Sequence, residues 1–262
     1  MIEQDTKIIF NKKLTAQTYL MALESPEVVA EARPGQFVMI RVRPGIDPLL
    51  RRPFSICGTR GPNQFFILYK VVGRGTAFLS EAGEGEKLSM LGPLGRGFEL
   101  SKHAGESVLV AGGIGIAPLI FLAQTMEPTN MTFMTGYRSA NDILPMEKFS
   151  LDTFKVFIST DDGTAGHHGP VTELIENHLA GWVENPPMVF ACGPTPMLKC
   201  VADLTIRRDI PCQVSQETAM ACGLGACQGC AVRASSGQDR TYYHVCQDGP
   251  VFDAHKLDWK AL

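Results

Sequence analysis

Four cysteines near the end of the chain have the residue type and spacing for metal chemistry. They stand as Cys222-x4-Cys227-x2-Cys230, with Cys246 sixteen residues further on. This is the plant-type [2Fe–2S] ligand spacing, in which thiolates grip two irons. The first three lie in Ala221-Cys-Gly-Leu-Gly-Ala-Cys-Gln-Gly-Cys230, where Gly223, Gly225 and Gly229 let the backbone wrap tightly and turn N–H groups toward sulfur. A structural zinc site is the other reading of four cysteines. Zinc usually takes two separated Cys-x2–4-Cys knuckles, whereas here three ligands crowd one loop and a single fourth follows. Cys57, Cys192, Cys200 and Cys212 are scattered and read as small buried hydrophobes, with Cys192 also part of a Cys-Gly-Pro loop motif.

Three segments in the first hundred residues suit a phosphate-bearing ligand. Arg51-Arg-Pro-Phe-Ser55 follows one expected strand, and Leu68-Tyr-Lys70 sits on the next. Gly73-Arg-Gly-Thr76 then opens an expected helix at Ala77-Phe-Leu-Ser80. Glycine and threonine at a helix start leave free N–H groups at the positive end of the dipole, a cradle for pyrophosphate. An arginine nearby adds a bidentate contact that is always charged. Tyr69 has a ring to place against a flat heterocycle. Taken singly, the same pieces read equally as a surface turn and an ordinary helix cap.

A second glycine-rich turn, Ala111-Gly-Gly-Ile-Gly-Ile-Ala-Pro118, lies between an expected strand and helix, where doubly wound sheets bind dinucleotides. It is not the Gly-x-Gly-x-x-Gly fingerprint, and Pro118 suits a first helical turn. Two more loops follow strands at the same sheet edge: Thr160-Asp-Asp-Gly-Thr164 and Cys192-Gly-Pro194. Gly136-Tyr-Arg-Ser-Ala-Asn-Asp142 is expected to approach an adenosine ribose. Arg138 is suited to a 2′-phosphate, but no second basic residue flanks it, so NADH is favoured over NADPH. His167-His168 reads as solvated surface.

The elements that must position these residues follow from patterning. At 262 residues, 45% hydrophobic and 19% charged, the chain is an ordinary globular protein with room for two or three domains. A net charge of −3 gives no basic footprint for nucleic acid. Residues 1–100 carry short β-branched and aromatic runs broken by Gly and Pro, which predict an antiparallel barrel or sandwich. Residues 101–211 alternate strands and helices, which predicts a doubly wound parallel sheet. Residues 212–262 form a third, cysteine-bearing unit whose cluster supplies much of its cohesion. The greasiest run, Val108 to Ala123, is broken by glycines and Pro118, so no membrane span is expected. Met1-Ile-Glu-Gln-Asp-Thr-Lys7 has no signal-peptide character. Thiolate ligands without an export signal point to the cytoplasm.

In order and spacing, Arg-x-Phe-Ser, Leu-Tyr-Lys, Gly-Thr and Gly92-Pro-Leu-Gly95 resemble the flavin barrel of the ferredoxin–NADP reductase superfamily. The resemblance implies FAD, with Arg52 on its pyrophosphate, Pro53 and Phe54 in the same binding segment, and Ser55 beside the reactive edge of the flavin. Leu68, Tyr69 and Lys70 would line the flavin, while Gly75 and Thr76 would grip phosphate. It also implies a nucleotide turn at Gly112, Gly113, Gly115 and Pro118, with Asp161 among the nucleotide contacts. Cys192-Gly193-Pro194 would lie beside the nicotinamide, making Cys192 with Ser55 the hydride-site candidates.

Over nearly its whole length the chain resembles the electron-transfer subunits of class 1B dihydroorotate dehydrogenases. The most specific stretches are Glu217-Thr-Ala-Met-Ala-Cys-Gly-Leu-Gly-Ala-Cys-Gln-Gly-Cys230 and Val245-Cys-Gln-Asp-Gly-Pro-Val-Phe252. That family implies FAD, NAD and a [2Fe–2S] cluster on Cys222, Cys227, Cys230 and Cys246. It implies electrons arriving from dihydroorotate through the FMN of a catalytic subunit, within a two-plus-two heterotetramer of pyrimidine (UMP) biosynthesis. The Cys246 arm is shorter than in plant ferredoxins. The alternative is the same machinery in a sulfide dehydrogenase, a hydrogenase or a ferredoxin:NADP oxidoreductase. A further reading is a zinc-stabilised interaction protein on a vestigial nucleotide-binding scaffold.

Overall fold

The strand-forming runs at the start of the chain close into a six-stranded antiparallel barrel. It comprises β1 (Ile2–Lys13), β2 (Thr18–Glu24), β3 (Phe37–Arg41), β4 (Arg52–Arg60), β5 (Gln64–Lys70) and β6 (Lys87–Leu94), ordered β1-β2-β5-β4-β3-β6. The computed structural model describes residues 1–100, 105–126, 130–149, 151, 154–180 and 186–262. Strand alternation sends Met21, Leu23, Val38, Ile40, Phe65 and Ile67 into the barrel, where each is fully buried. Burying one such side chain contributes roughly 1.5–3 kcal/mol. Helix α1 (Pro26–Glu31) is capped by Ser25, whose Oγ accepts from the Val28 N–H at 3.1 Å. The Arg-Pro-Phe-Ser segment opens a strand as well as following one, because β4 starts at Arg52. Helix α2 (Arg74–Glu81) follows β5 as the Gly-Thr signal predicts.

The second sheet contains β7 (Ser107–Gly112), β8 (Met131–Tyr137), β9 (Lys155–Thr160), β10 (His167–His168), β11 (Met188–Cys192), β12 (Cys212–Ser215) and β15 (Val251–Asp253). Its order is β10-β9-β8-β7-β11-β12-β15, parallel except for β15 against β12. Helices α3 (Ile116–Thr125), α4 (Val171–Ala180) and α5 (Thr195–Arg207) cover both faces. Val108 and Val110 share one core with Ile175, Leu179, Leu198 and Val201, while Leu109 and Ala111 share the other with Leu119 and Ile120. A strand buried on both faces reads as a continuous apolar run, which is why Val108-Leu-Val-Ala111 is legible. Strand order reverses between β7 and β11, the switch point that opens a crevice at the strands' carboxyl ends.

The remaining elements are β13 (Ala231–Arg233), β14 (Tyr242–His244) and α6 (Val245–Asp248). The boundary expected at 211/212 falls just before β12, an inner strand of the second sheet. The cysteine-bearing segment is therefore an excursion between β12 and β15, anchored at both ends by the sheet's hydrogen bonds. The boundary expected at 100/101 adjoins residues 101–104, which lie outside the described residues.

Helix α3 joins the two larger units, because its Phe121 is buried in the barrel's core. Gly58, at φ +155, permits the approach: a Cβ there would stand 2.6 Å from Gln124 Oε1. Among the described residues, no helix is long and apolar enough to cross a membrane.

Candidate functional site

At the barrel's rim, Arg52 from β4 lies against the first turn of α2. A Cβ on Gly75 would stand 3.0 Å from Arg52 Nε, so the glycine gives the guanidinium room to lie there. The guanidinium is held from the other side, with Nη1 donating to the Leu50 carbonyl at 2.5 Å. The Thr76 hydroxyl accepts from the N–H groups of Val72 (2.9 Å) and Gly73 (3.2 Å) and donates to the Gly73 carbonyl (3.0 Å). Its oxygen therefore shapes the turn, and the first-turn N–H groups of α2 remain as free donors beside the Arg52 cation.

Next to this clamp is a cavity of about 360 Å³. Its walls include Arg52, Pro53, Phe54 and Ser55 from β4, Leu68, Tyr69 and Lys70 from β5, and Thr76. Of the residues assigned to this ligand, only Gly75 is absent from the lining, and it touches Arg52. Tyr69 departs from expectation. Its parity on β5 turns the ring into the barrel, where it is 2% exposed and stacks on Tyr19, with centroids 5.6 Å apart and planes at 16°. Its hydroxyl donates to Asn11 Oδ1 at 2.9 Å, and burial pushes the phenol's pKa up. Tyr69 is thus a buttress of the wall without a free stacking face.

The opposite wall comes from residues that local patterning did not mark. Gln216, Glu217, Thr218, Met220 and Pro250 close the cavity from the cysteine-bearing segment, and Ile114 and Ala117 close it from the second sheet. The available signal was positional: residues 216–218 leave a sheet strand at its carboxyl end. The Glu217 carboxyl is pushed above its usual range by desolvation.

A larger cavity, about 990 Å³, opens at the switch point. Gly112, Gly113 and Gly115 line it, with Gly136, Arg138, Asp161, Gly193 and Pro194. Gly113 adopts φ +53 and has open space where a Cβ would be. Gly112 and Gly115 do different work. A Cβ on Gly115 would be 2.4 Å from the Cys192 carbonyl oxygen, and one on Gly112 would be 2.7 Å from Pro194 Cδ. They let the β7–α3 and β11–α5 loops interlock. Pro118 is buried in the first turn of α3 and starts the helix without reaching the cavity. Cys192 ends β11 at 1% exposure, with its pKa raised by burial, so its thiol lies behind the cavity lining while Gly193 and Pro194 form it. Lys70, Val72, Ile114 and Glu217 line both cavities, which therefore meet.

Cys222, Cys227, Cys230 and Cys246 lie near one another as two pairs, and among the described residues no three side chains already stand as a closed metal-holding group. Cys230 and Cys246, both buried, have sulfurs 3.2 Å apart. Cys222 and Cys227 form the outer pair, with the Cys227 N–H donating to Cys222 Sγ at 3.4 Å. Two thiolates per metal on two adjacent metals is the demand of a [2Fe–2S] group, and the donor set fits it. Burial raises the Cys222 thiol, but N–H donors from Leu224 and Cys227 outweigh it, leaving its pKa at about 7. Burial and the adjacent Cys230 push Cys246 up to about 12. A cation between the sulfurs would favour both thiolates over the thiol form that burial otherwise keeps. A Cβ on Gly225 would stand 2.4 Å from Gln247 Oε1, so glycine lets the loop close onto the Cys246 arm.

The cluster pocket also borders the smaller cavity. Met220 is two residues from Cys222, a span of at most roughly 7 Å, and Pro250 is four residues beyond Cys246.

Comparisons with known proteins agree with this geometry. The family model for the iron-sulfur cluster binding domain of dihydroorotate dehydrogenase B matches residues 217–258. That for the oxidoreductase NAD-binding domain matches 109–203. The dihydroorotate dehydrogenase B (NAD(+)) electron transfer subunit of Desulforamulus reducens is 38% identical, with 98% of each chain covered. Its counterpart in Geobacillus thermodenitrificans is 36% identical, covering 98% of this chain and 99% of the relative. Among solved structures, an NADH-dependent reduced ferredoxin-NADP oxidoreductase superimposes with TM-score 0.85 at 29% identity, over 97% of this chain and 90% of that one. A phthalate dioxygenase reductase shares the fold, with TM-score 0.64 at 21% identity over 97% of this chain and 77% of that one.

Proposed function

Since the chain belongs to the electron transfer subunits of dihydroorotate dehydrogenase B, we propose that its two cavities and cysteine cradle form one electron path. The path runs from a catalytic partner, through a [2Fe–2S] cluster and FAD, to NAD. The chain is an oxidoreductase subunit, and substrate oxidation takes place in the partner. When bound, the flavin exchanges electrons singly with a one-electron cluster and in pairs with NAD as hydride. The observation that carries the reading is contiguity. Met220 and Pro250 belong to the cluster segment and to the flavin wall, and four residues are shared by the flavin and nucleotide cavities.

In this reading Arg52 and the first turn of α2 hold the FAD pyrophosphate. Pro53, Phe54, Leu68 and Lys70 shape the flavin slot, Tyr69 buttresses it, and Ser55 faces the reactive edge. The Gly112–Gly115 turn takes the NAD diphosphate, with Asp161 at the nucleotide and Gly193-Pro194 against the nicotinamide. Cys192 sets the position of that loop from beneath. Cys222, Cys227, Cys230 and Cys246 hold the cluster, the first two on its outer side. The partner carries FMN, the assembly is a heterotetramer of two catalytic and two electron-transfer subunits, and it works in the cytoplasm in pyrimidine synthesis.

Reconstitution tests this directly. Holoprotein mixed with an FMN-bearing dihydroorotate dehydrogenase subunit should reduce NAD at the expense of dihydroorotate. No turnover with that partner, but turnover with a ferredoxin or an NADP-linked flavoprotein, would favour the second reading. The likeness to the NADH-dependent ferredoxin-NADP oxidoreductase motivates that alternative.

A further inference from the structure

We propose that Asp161 selects NAD over its 2′-phosphorylated counterpart, its carboxylate accepting from the 2′-hydroxyl of the adenosine ribose. Three carboxylates cluster where β8 and β9 end, and two are already engaged. Asp142 is 3.4 Å from Lys70 Nζ, an ion pair between the second sheet's loops and the barrel. Asp162 Oδ1 accepts from the N–H and the hydroxyl of Thr164, at 3.0 and 2.6 Å. The Asp161 carboxylate has no ion pair or side-chain hydrogen bond among the described residues, and it lines the large cavity.

Its position is fixed by backbone. The Asp161 N–H donates to the Tyr137 carbonyl at 3.0 Å, and the Asp162 N–H to the Arg138 carbonyl at 3.2 Å. Asp161 is thereby stapled beside Arg138, which lines the same cavity and is not within ion-pair distance of it. Arg138 alone would welcome a 2′-phosphate. A carboxylate beside it accepts a hydrogen bond from a hydroxyl but repels a phosphomonoester of charge about −1.5 to −2. Carboxylate recognition of a ribose hydroxyl at the end of a parallel strand is chemically apt, because the charged acceptor strengthens the bond.

The inference rests on reading the large cavity as the NAD site, and the test separates the two. Using holoprotein with FAD and cluster loaded, NADH- and NADPH-dependent dye reduction is measured for Asp161→Ser and Asp161→Asn. The ratio of kcat/KM for NADPH to that for NADH should rise by about tenfold or more, carried by KM with kcat nearly constant. Adding Arg138→Ala to Asp161→Ser should cancel the NADPH gain. Separately, Cys200 is an exposed thiol on the cavity wall, contrary to the buried position expected from sequence, because it faces outward from α5. NADH should protect it from a maleimide in the unaltered protein, as read by peptide mass. An unchanged ratio with Cys200 protected overturns the Asp161 assignment and leaves the cavity standing. Absence of protection overturns both.

Discussion

The two proposed dinucleotide sites share a plan, a strand running through a glycine turn into a helix, yet they meet phosphate differently. In the barrel, a guanidinium lies across Gly75, so charge and free N–H groups act together. In the second sheet, the missing side chains of Gly112 and Gly115 are replaced by a neighbouring loop, and the turn contains no cation. Hydrogen bonds to an anionic diphosphate are charge-assisted at both turns, about 1.5–3 kcal/mol each, and only the barrel adds a guanidinium to them. On the proposed reading, the contrast would hold the flavin more tightly than the nucleotide. One ligand is clamped, and the other is received on bare backbone.

The comparison can be broken at several points. The largest effect is expected from Cys227→Ser, which should abolish cluster iron while FAD content and NADH-to-dye turnover persist; loss of flavin as well would mean the sites are not separable. Arg52→Ala should weaken FAD retention by about tenfold to hundredfold, as one charge-assisted clamp implies. Flavin released on gel filtration measures this, with iron unchanged. Flavin that stays bound would remove Arg52 from the clamp.

Gly115→Ala drives a Cβ to 2.4 Å from the Cys192 carbonyl, so the interlocked loops must part. NADH KM should rise by about tenfold and stability fall by about 1–3 kcal/mol, with flavin content unaffected. The smallest effect concerns Glu217, which is exposed along the cavities although partial desolvation raises its carboxyl's folded-state pKa. A raised carboxyl favours folding fully below its unfolded pKa, and that advantage is lost as pH rises through the folded value. Glu217→Gln should therefore raise the melting temperature of flavin-free protein near pH 8 and not near pH 4. An equal shift at both would assign the effect to packing.

Legibility followed the range of the contacts. The cysteines proposed for the cluster could be read because three share one short loop, and Arg52 to Ser55 because four consecutive residues line one cavity. Parity was harder. Leu68, Tyr69 and Lys70 all border the cavity, but strand parity packs the Tyr69 ring into the barrel core against Tyr19. Cys192 could be placed at the right loop from Cys-Gly-Pro, yet its thiol is enclosed because β11 lies between two strands and under two helices. Gln216, Glu217, Met220 and Pro250 were not assigned to the flavin wall. That role exists only because β12 and β15 both join the second sheet and return the cysteine segment to the barrel. Backbone pairing across about forty residues set this closure, and no local pattern announces it.

Contiguity of the three sites is most directly tested by rapid mixing of anaerobic holoprotein with NADH, following flavin absorbance and the paramagnetism of the reduced cluster together. The account predicts two irons, two acid-labile sulfides and one FAD per chain, flavin bleaching first, and cluster reduction within the turnover time. A bleached flavin beside a cluster that stays oxidised, or a chain isolated anaerobically without iron, would contradict it.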